Sequence, residues 1–434
     1  MAIQASEDRV TAQSSPAAGR RFYPWVVFGL TFALLLSDYM SRQVLSAVFP
    51  FLKQEWSLSD TQLGGLTSIV ALTVGLLAVP LSLLGDRWGR VRAVVAMGIL
   101  WSLATIGAGL AANYGQLFFA RFLIGVGEAA YGSVGLALVL AVFAASKRAS
   151  LTGAFMAGGS FGSVLGVALG GVLAVQFGWR WAFGAMGALG LILAAMYLGL
   201  INERKLAKYK IADVAGEGGK VEEGKRAKLS TLFSTPSVVL AYIGSGLQLF
   251  ITGALFAWLP SYFNRAYGMK ADRAGAVAAL FILIIGVGMI GCGMITDRAS
   301  RTKADRKWTT AIVFSALSLV FVGGAFLLKP GSAQLLLLAF GSFFCAGTAG
   351  PAGAMVARLT HESIRATAFG TFTFFNNLLG LAAGPLVTGA LADRVGLDRA
   401  LLYGACISAV SVIALLAGRK LFPASLKRLE GQGK

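Results

Sequence analysis

Twelve runs of roughly 20 uncharged, mostly apolar residues recur along the chain, beginning near positions 24, 60, 91, 115, 148, 181, 237, 273, 308, 333, 366 and 400, with short polar turns between them. Runs of that length cross a hydrocarbon layer of about 30 Å as helices. One polar stretch is much longer than the others. Residues 203–235 carry Lys205, Lys208, Lys210, Glu217, Lys220, Glu222 and Glu223 among glycines and predict a solvated linker. The expected organisation is a tail at 1–21, a six-helix bundle at 22–202, the linker at 203–235, a second six-helix bundle at 236–422 and a tail at 423–434. Residues 1–21 hold no apolar stretch ahead of the first span, so that span is expected to act as its own targeting signal.

The two halves repeat. Asp86-Arg87-Trp88-Gly89-Arg90 closes the second span, and Asp297-Arg298-Ala299-Ser300-Arg301 closes the eighth, 211 positions later. Arg148-Ala149-Ser150-Leu151-Thr152-Gly153, entering the fifth span, is echoed by Arg365-Ala366-Thr367-Ala368-Phe369-Gly370, entering the eleventh. The fifth span then carries Gly158, Gly162, Gly166 and Gly170 on one helix face, a ladder that lets a neighbouring backbone approach closely, and the eleventh repeats it loosely as Asn376, Gly380, Gly384 and Thr388.

Composition supports the membrane reading: 56% of the 434 residues are hydrophobic and only 13% charged. The net charge of +19 does not indicate nucleic acid, because the basic residues sit between apolar segments and form no stripe. With the N-terminus in the cytoplasm, 28 of the 38 Lys and Arg residues fall on the cytoplasmic side and eight on the other, which satisfies the positive-inside rule and puts both termini on the cytoplasmic side of a cell (inner) membrane. The remaining two, Arg42 and Arg121, lie within the bilayer. Cys292, Cys345 and Cys406 are in apolar runs without metal-ligand spacing, and the single histidine, His361, has no partners for metal or triad chemistry. Gly286-Val287-Gly288-Met289-Ile290-Gly291 spells a dinucleotide fingerprint but has no strand before it. No metal, cofactor or enzymatic constellation is expected.

The turn Ser82-x-Leu84-x-Asp86-Arg87-x-Gly89-Arg90-x-Arg92 and its copy Gly293-x-Ile295-x-Asp297-Arg298-x-Ser300-Arg301 resemble the loop signature of the major facilitator superfamily over about residues 22 to 422. The resemblance implies an all-α membrane protein, twelve transmembrane helices in two pseudo-symmetric six-helix bundles, a central cavity and alternating access, with Asp86, Arg87, Arg90, Asp297, Arg298 and Arg301 as a cytoplasmic gate. Arg121-x3-Gly125-Val126-Gly127-Glu128-Ala129-Ala130-Tyr131, Gly178-Trp179-Arg180-Trp181-Ala182-Phe183 and Arg42-Gln43-Val44-Leu45-Ser46 look like the Spinster-like branch, whose animal members move lysophospholipids and sphingolipids. In that branch an acid often directly precedes the first-span arginine; here that position is Ser41 and the acid is Asp38.

Of 19 acidic residues only Asp38 and Glu128 lie well inside spans. Ionisable groups there are costly and mark function. Asp38 and Arg42 share a face one turn apart, and Arg121 and Glu128 lie about 10 Å apart along one face of the fourth span. The expectation is one polar cluster in which Glu128, with Asp38 second, exchanges protons while Arg121 or Arg42 attracts a negative group on the substrate. Tyr131, Gln248, Thr252, Trp258, Tyr262, Asn376 and Asn377 are the expected uncharged contacts. The predicted protein is thus a proton-coupled secondary transporter, expected as a monomer in the bilayer, for a small-molecule or lipid substrate, with an anionic amphiphile favoured. Drug efflux and small organic-anion symport are the alternatives: Gly162-x3-Gly166-Val167-x2-Gly170-Gly171 is similar to an antiporter signature but has Val167 where that signature has proline.

Overall fold

The computed structural model describes residues 18–207, 209, 232–233, 235–301, 305–361 and 364–432. Most of the expected linker lies outside the described residues, as does most of the first tail. Among the described residues twelve helices are long and apolar enough to cross a membrane: α1 (Phe22–Trp56), α2 (Asp60–Gly85), α3 (Arg90–Gly109), α4 (Tyr114–Leu140), α5 (Ser150–Phe177), α6 (Trp179–Leu200), α7 (Pro236–Ala266), α8 (Ala271–Ala299), α9 (Arg306–Leu327), α10 (Ser332–Arg358), α11 (Thr367–Val395) and α12 (Leu397–Lys427). Their starts fall within three residues of those expected from the apolar runs. Large apolar side chains such as Leu76, Phe119, Ile192, Leu280, Val320 and Ile413 point outward, as a bundle solvated by lipid requires.

The two halves pack by the same plan. α1 lies against α5 and α3 against α4 and α6, while α7 lies against α11 and α9 against α10 and α12. The halves meet along α2 with α11, α5 with α8 and α1 with α7. The glycine ladder of α5 faces α1 within its own half: a Cβ at Gly162 would sit 2.7 Å from the Leu36 carbonyl oxygen, and one at Gly166 2.7 Å from that of Met40. In the second half Gly380 and Gly384 of α11 meet α7 in the same way, at Leu249 and Phe250. These contacts are static packing inside each half.

α4 and α10 hold equivalent places and both break midway. α4 stops at Glu128 and resumes at Tyr131; α10 stops at Cys345 and resumes at Ala349. In α10 the break suits the sequence, because Pro351 lacks an N–H and sits in the first turn of the resumed helix, where that hydrogen bond is not required. α11 widens to a π-helix over Asn376–Ala382.

The face carrying the two Asp-Arg turns and both helical ends of the chain is the basic face. At the opposite face, outer only in the sense of lying away from the basic turns, the halves are fastened together. Asp60, at the start of α2, accepts hydrogen bonds of 2.7 Å from both Arg265 guanidinium nitrogens on α7 and one of 2.7 Å from Lys53. Asp393 on α11 caps the α2 N-terminus in turn, accepting from the Asp60 N–H at 2.7 Å and from the Thr61 N–H and hydroxyl at 2.8 and 2.6 Å. The first N–H groups of a helix have no intrahelical partner and carry partial positive charge, so a carboxylate from the other half is well placed there.

Two outcomes follow from this packing. Arg265→Gln removes a charge-assisted pair worth about 1.5–3 kcal/mol; spin labels at the exposed outer positions Ala112 and Ala333 should then show a population with wider separation, and an unchanged distance distribution would refute the latch. Gly162→Val should lower thermal stability in detergent by about 1–3 kcal/mol through overpacking, whereas an unaltered melting temperature would mean that α1 and α5 separate freely.

Candidate functional site

Glycines position the buried acid on α4. A Cβ at Gly125 would lie 2.8 Å from Thr73 Cβ on α2, and one at Gly127 would lie 2.8 Å from the Trp101 amide nitrogen on α3. Only glycine lets α4 nest this closely on both helices, and the close packing carries Glu128 to the point where the helix breaks. Its side chain is 3% exposed, and its Oε2 sits 3.0 Å from Arg42 Nη2 on α1. Asp38, one turn earlier on α1, is buried with its carboxyl at hydrogen-bonding range of Glu128. Asp38 Oδ1 and Glu128 Oε1 have no hydrogen-bond donor. Two carboxyl groups that touch while each keeps an unpartnered buried oxygen are geometrically suited to share one proton.

Arg121 is placed differently from the sequence expectation. It is fully buried and spends its donors on main-chain carbonyls: Nε on Leu66 at 3.1 Å, Nη1 on Ser41 at 3.2 Å and Nη2 on Arg42 at 3.2 Å. Instead of presenting a charge to a ligand, Arg121 clamps α1 and α2 onto α4 immediately behind Arg42. Of the two intramembrane arginines only Arg42 reaches the central cavity.

That cavity, of about 320 Å³, lies between the halves. Its first-half wall is polar, with Tyr39, Arg42, Gln43, Thr67, Ser160 and Ser163; the second-half wall is largely apolar, with Leu249, Phe256, Ile285, Met289, Leu381 and Pro385. The Arg42 guanidinium also lies 5.8 Å from the centre of the Tyr39 ring. Thr67 presents a buried hydroxyl without a partner.

The uncharged candidates divide. Thr252 lines the cavity. Gln248, directly behind it, joins Thr252 in donating to the Cys345 carbonyl, at 3.2 and 3.1 Å, and so satisfies an acceptor freed by the break in α10. Trp258 is buried, donates to the Pro385 carbonyl at 3.0 Å and packs on Phe49 of the other half. Tyr131 is buried against Trp101 and donates to the Thr31 carbonyl at 2.7 Å. Tyr262 accepts from Gln334 at 2.7 Å. Asn376 and Asn377 are buried in the π-helical turn, Asn377 donating to Thr373 at 3.0 Å. Tyr131, Gln248, Trp258 and Tyr262 bond to neighbouring helices, Asn377 bonds within its own, and none of these or Asn376 lines the cavity. Arg87, Asp297, Arg298 and Arg301 lie exposed at the basic face, with Arg90 half-buried there, all remote from the cavity; the Asp86 side chain lies outside those described.

Tyr39, Gln43, Thr67, Ser160 and Ser163 were not among the sequence candidates. The signal for the first was present, since Tyr39 lies three residues before Arg42 and shares its helix face, and Gln43 follows Tyr39 by one turn. The outer latch was missed as well, although Lys53, Arg265 and Asp393 belong to the small set of outer charges.

A sequence profile of the Major Facilitator Superfamily matches residues 31–380. The probable L-galactonate transporter of Escherichia coli (strain K12) is 25% identical, with 89% of this chain and 87% of that protein aligned. The sphingosine-1-phosphate transporter SPNS2 of Danio rerio is also 25% identical, over 86% of this chain and 77% of its own length. Among solved structures, a bacterial homolog of the human lysosomal transporter Spinster, in an inward-facing and unoccupied conformation, superimposes with a TM-score of 0.81 at 17% identity, covering 93% of this chain and 98% of that one. With a profile match over most of its length and this two-bundle fold, the chain belongs to the Major Facilitator Superfamily and is a multi-pass membrane transporter, not an enzyme.

Proposed function

We propose that this transporter couples protons to the movement of an organic anion, an amphiphile with one negative head in particular, by alternating access with its basic face in the cytoplasm. The observation that carries the reading is the Arg42–Glu128 pair at the cavity wall, 3.0 Å apart with Asp38 behind it. Arg42 is the one charged side chain on the cavity wall, so an anionic head group would bind there and compete with Glu128 for it. A buried carboxylate deprived of its cation takes up a proton rather than remain charged. The charge count gives the sign of the coupling. Two arginines against two ionised acids make a neutral cluster; one added proton leaves it at net +1, the state that favours an anion. By linkage, the anion favours the proton equally. Proton and anion therefore travel in the same direction.

The apolar second-half wall supports a hydrocarbon tail opposite the head group. A small sugar acid is the second reading, supported by the resemblance to the probable L-galactonate transporter. Thermal stabilisation in detergent by lysophospholipids compared with sugar acids separates the two.

Glu128→Gln should abolish accumulation driven by a pH gradient in proteoliposomes while leaving substrate exchange at equal pH; if driven uptake and exchange both stay at wild-type rates, proton coupling at Glu128 is wrong. Arg42→Gln should weaken binding of the anionic substrate about 10- to 100-fold, the equivalent of a charge-assisted hydrogen bond of about 1.5–3 kcal/mol. Calorimetry showing wild-type affinity would remove Arg42 from the site.

A further inference from the structure

On the side of the dyad away from the cavity, the first half contains a row of hydroxyls that the cycle above does not use. α1 carries Tyr23, Thr31 and Asp38 at spacings of eight and seven residues, close to whole helical turns, so they share a face and mark out about 22 Å from Asp38 to the basic face. Tyrosines from two other helices fill the intervals. Tyr131 opens the resumed half of α4 three residues after Glu128 and donates to the Thr31 carbonyl at 2.7 Å. The Thr31 hydroxyl is 3.3 Å from the Tyr197 hydroxyl of α6. Tyr197 lies one turn from the end of α6, which closes at Leu200, and Glu203 opens the short helix Glu203–Ala207 three residues further on. Glu203 is half-exposed on the basic face and accepts from the Val91 N–H at 2.9 Å.

Thr31, Tyr131 and Tyr197 are each 0% exposed, packed among Val27, Leu34, Leu138 and Ala194, and none of the three lines the cavity. Burying hydroxyls in such a core costs free energy that Val and Phe would avoid. What a hydroxyl adds is the capacity to donate and accept at the same time. Beside the stretch between Asp38 and Thr31, Ser37 Oγ, Ser102 Oγ and Trp101 Nε1 are also buried without a protein partner, on α1 and α3. A water there would find the two or more polar partners it needs.

We infer that this row is a proton relay joining the Asp38–Glu128 dyad to Glu203 on the basic face, by a path separate from the one the substrate takes. The inference rests on the proton-coupling reading above. Each step is a transfer without change of oxidation state: a hydroxyl oxygen accepts a proton on a lone pair and releases its own hydrogen to the next acceptor. At rest the Thr31 hydroxyl points to the Val27 carbonyl at 2.7 Å and that of Tyr131 to the Thr31 carbonyl, so rotation of these groups about their C–O bonds turns them toward the row. The charged and titratable neighbours of the dyad end are Arg42, Arg121, Tyr39 and Tyr131; those of the Tyr197 end are Tyr23 and Glu203.

Tyr197→Phe removes one oxygen and preserves the ring packing, and Thr31→Val is its counterpart on α1. In proteoliposomes the relay predicts that Tyr197→Phe slows pH-driven uptake about tenfold and alters its rate ratio between H₂O and D₂O, with exchange at equal pH and thermal stability at wild-type values. Wild-type driven uptake and isotope ratio in both variants would overturn the relay. So would a loss of exchange in proportion to driven uptake, which marks a purely structural role. A wild-type protein indifferent to a pH gradient would instead overturn the coupling reading itself, and the two failures are therefore distinguishable.

Discussion

A guanidinium and a carboxylate 3.0 Å apart inside an apolar helix bundle dictate what their neighbours must be. Each charge costs several kcal/mol to bury, and that cost is offset only while geometry and surrounding hydrogen bonds hold the pair together. The rest of the first half serves this geometry. Gly125 and Gly127 let α4 approach α2 and α3, and Arg121 fixes the backbone at Ser41 and Arg42 by two hydrogen bonds to main-chain carbonyls and ties it to Leu66 of α2 by a third.

The second half repeats the architecture without the charges. Its broken helix α10 exposes the Cys345 carbonyl, and the acceptor is satisfied by Gln248 and Thr252, both neutral. The equivalent break in α4 ends on an acid. A duplicated fold has thus kept a helix break in each half and placed an acid at only one of them. The consequence is a cavity with a polar, charged wall on one side and an apolar wall on the other.

How much of this was legible depends on the range of each interaction. Spans, their boundaries and the doubled turn are local patterns of hydropathy and spacing, and they were readable directly. Asp38, Arg42 and Glu128 were readable because a charge in a membrane run has no ordinary explanation. Arg121 was found, but its place was not legible: its acceptors are main-chain carbonyls, which leave no trace in side-chain identity. Gln248 and Trp258 likewise bond to main-chain carbonyls, those of Cys345 and Pro385, the first set free by a helix break that hydropathy does not report. The outer latch joins residues 205 and 333 positions apart, and no local spacing encodes such a contact.

The latch and the site are nonetheless one mechanical unit, because both use the start of α2. Asp60 and Thr61 hold the second half through Arg265 and Asp393, and Ser68 donates to the Ala382 carbonyl at the end of the π-helical turn of α11, at 2.5 Å. These contacts span nine residues, about two and a half turns. Within the same stretch Leu66 receives Arg121 and Thr67 faces the cavity. Opening the outer face must break the bonds of Asp60, Thr61 and Ser68 to the second half while keeping that of Leu66 to Arg121, which lies within the first. A ligand touching Thr67 and the Pro385 wall bridges the two sets of contacts. It can therefore bias the equilibrium at the residue where gate and cargo meet, and no separate path for the coupling is needed.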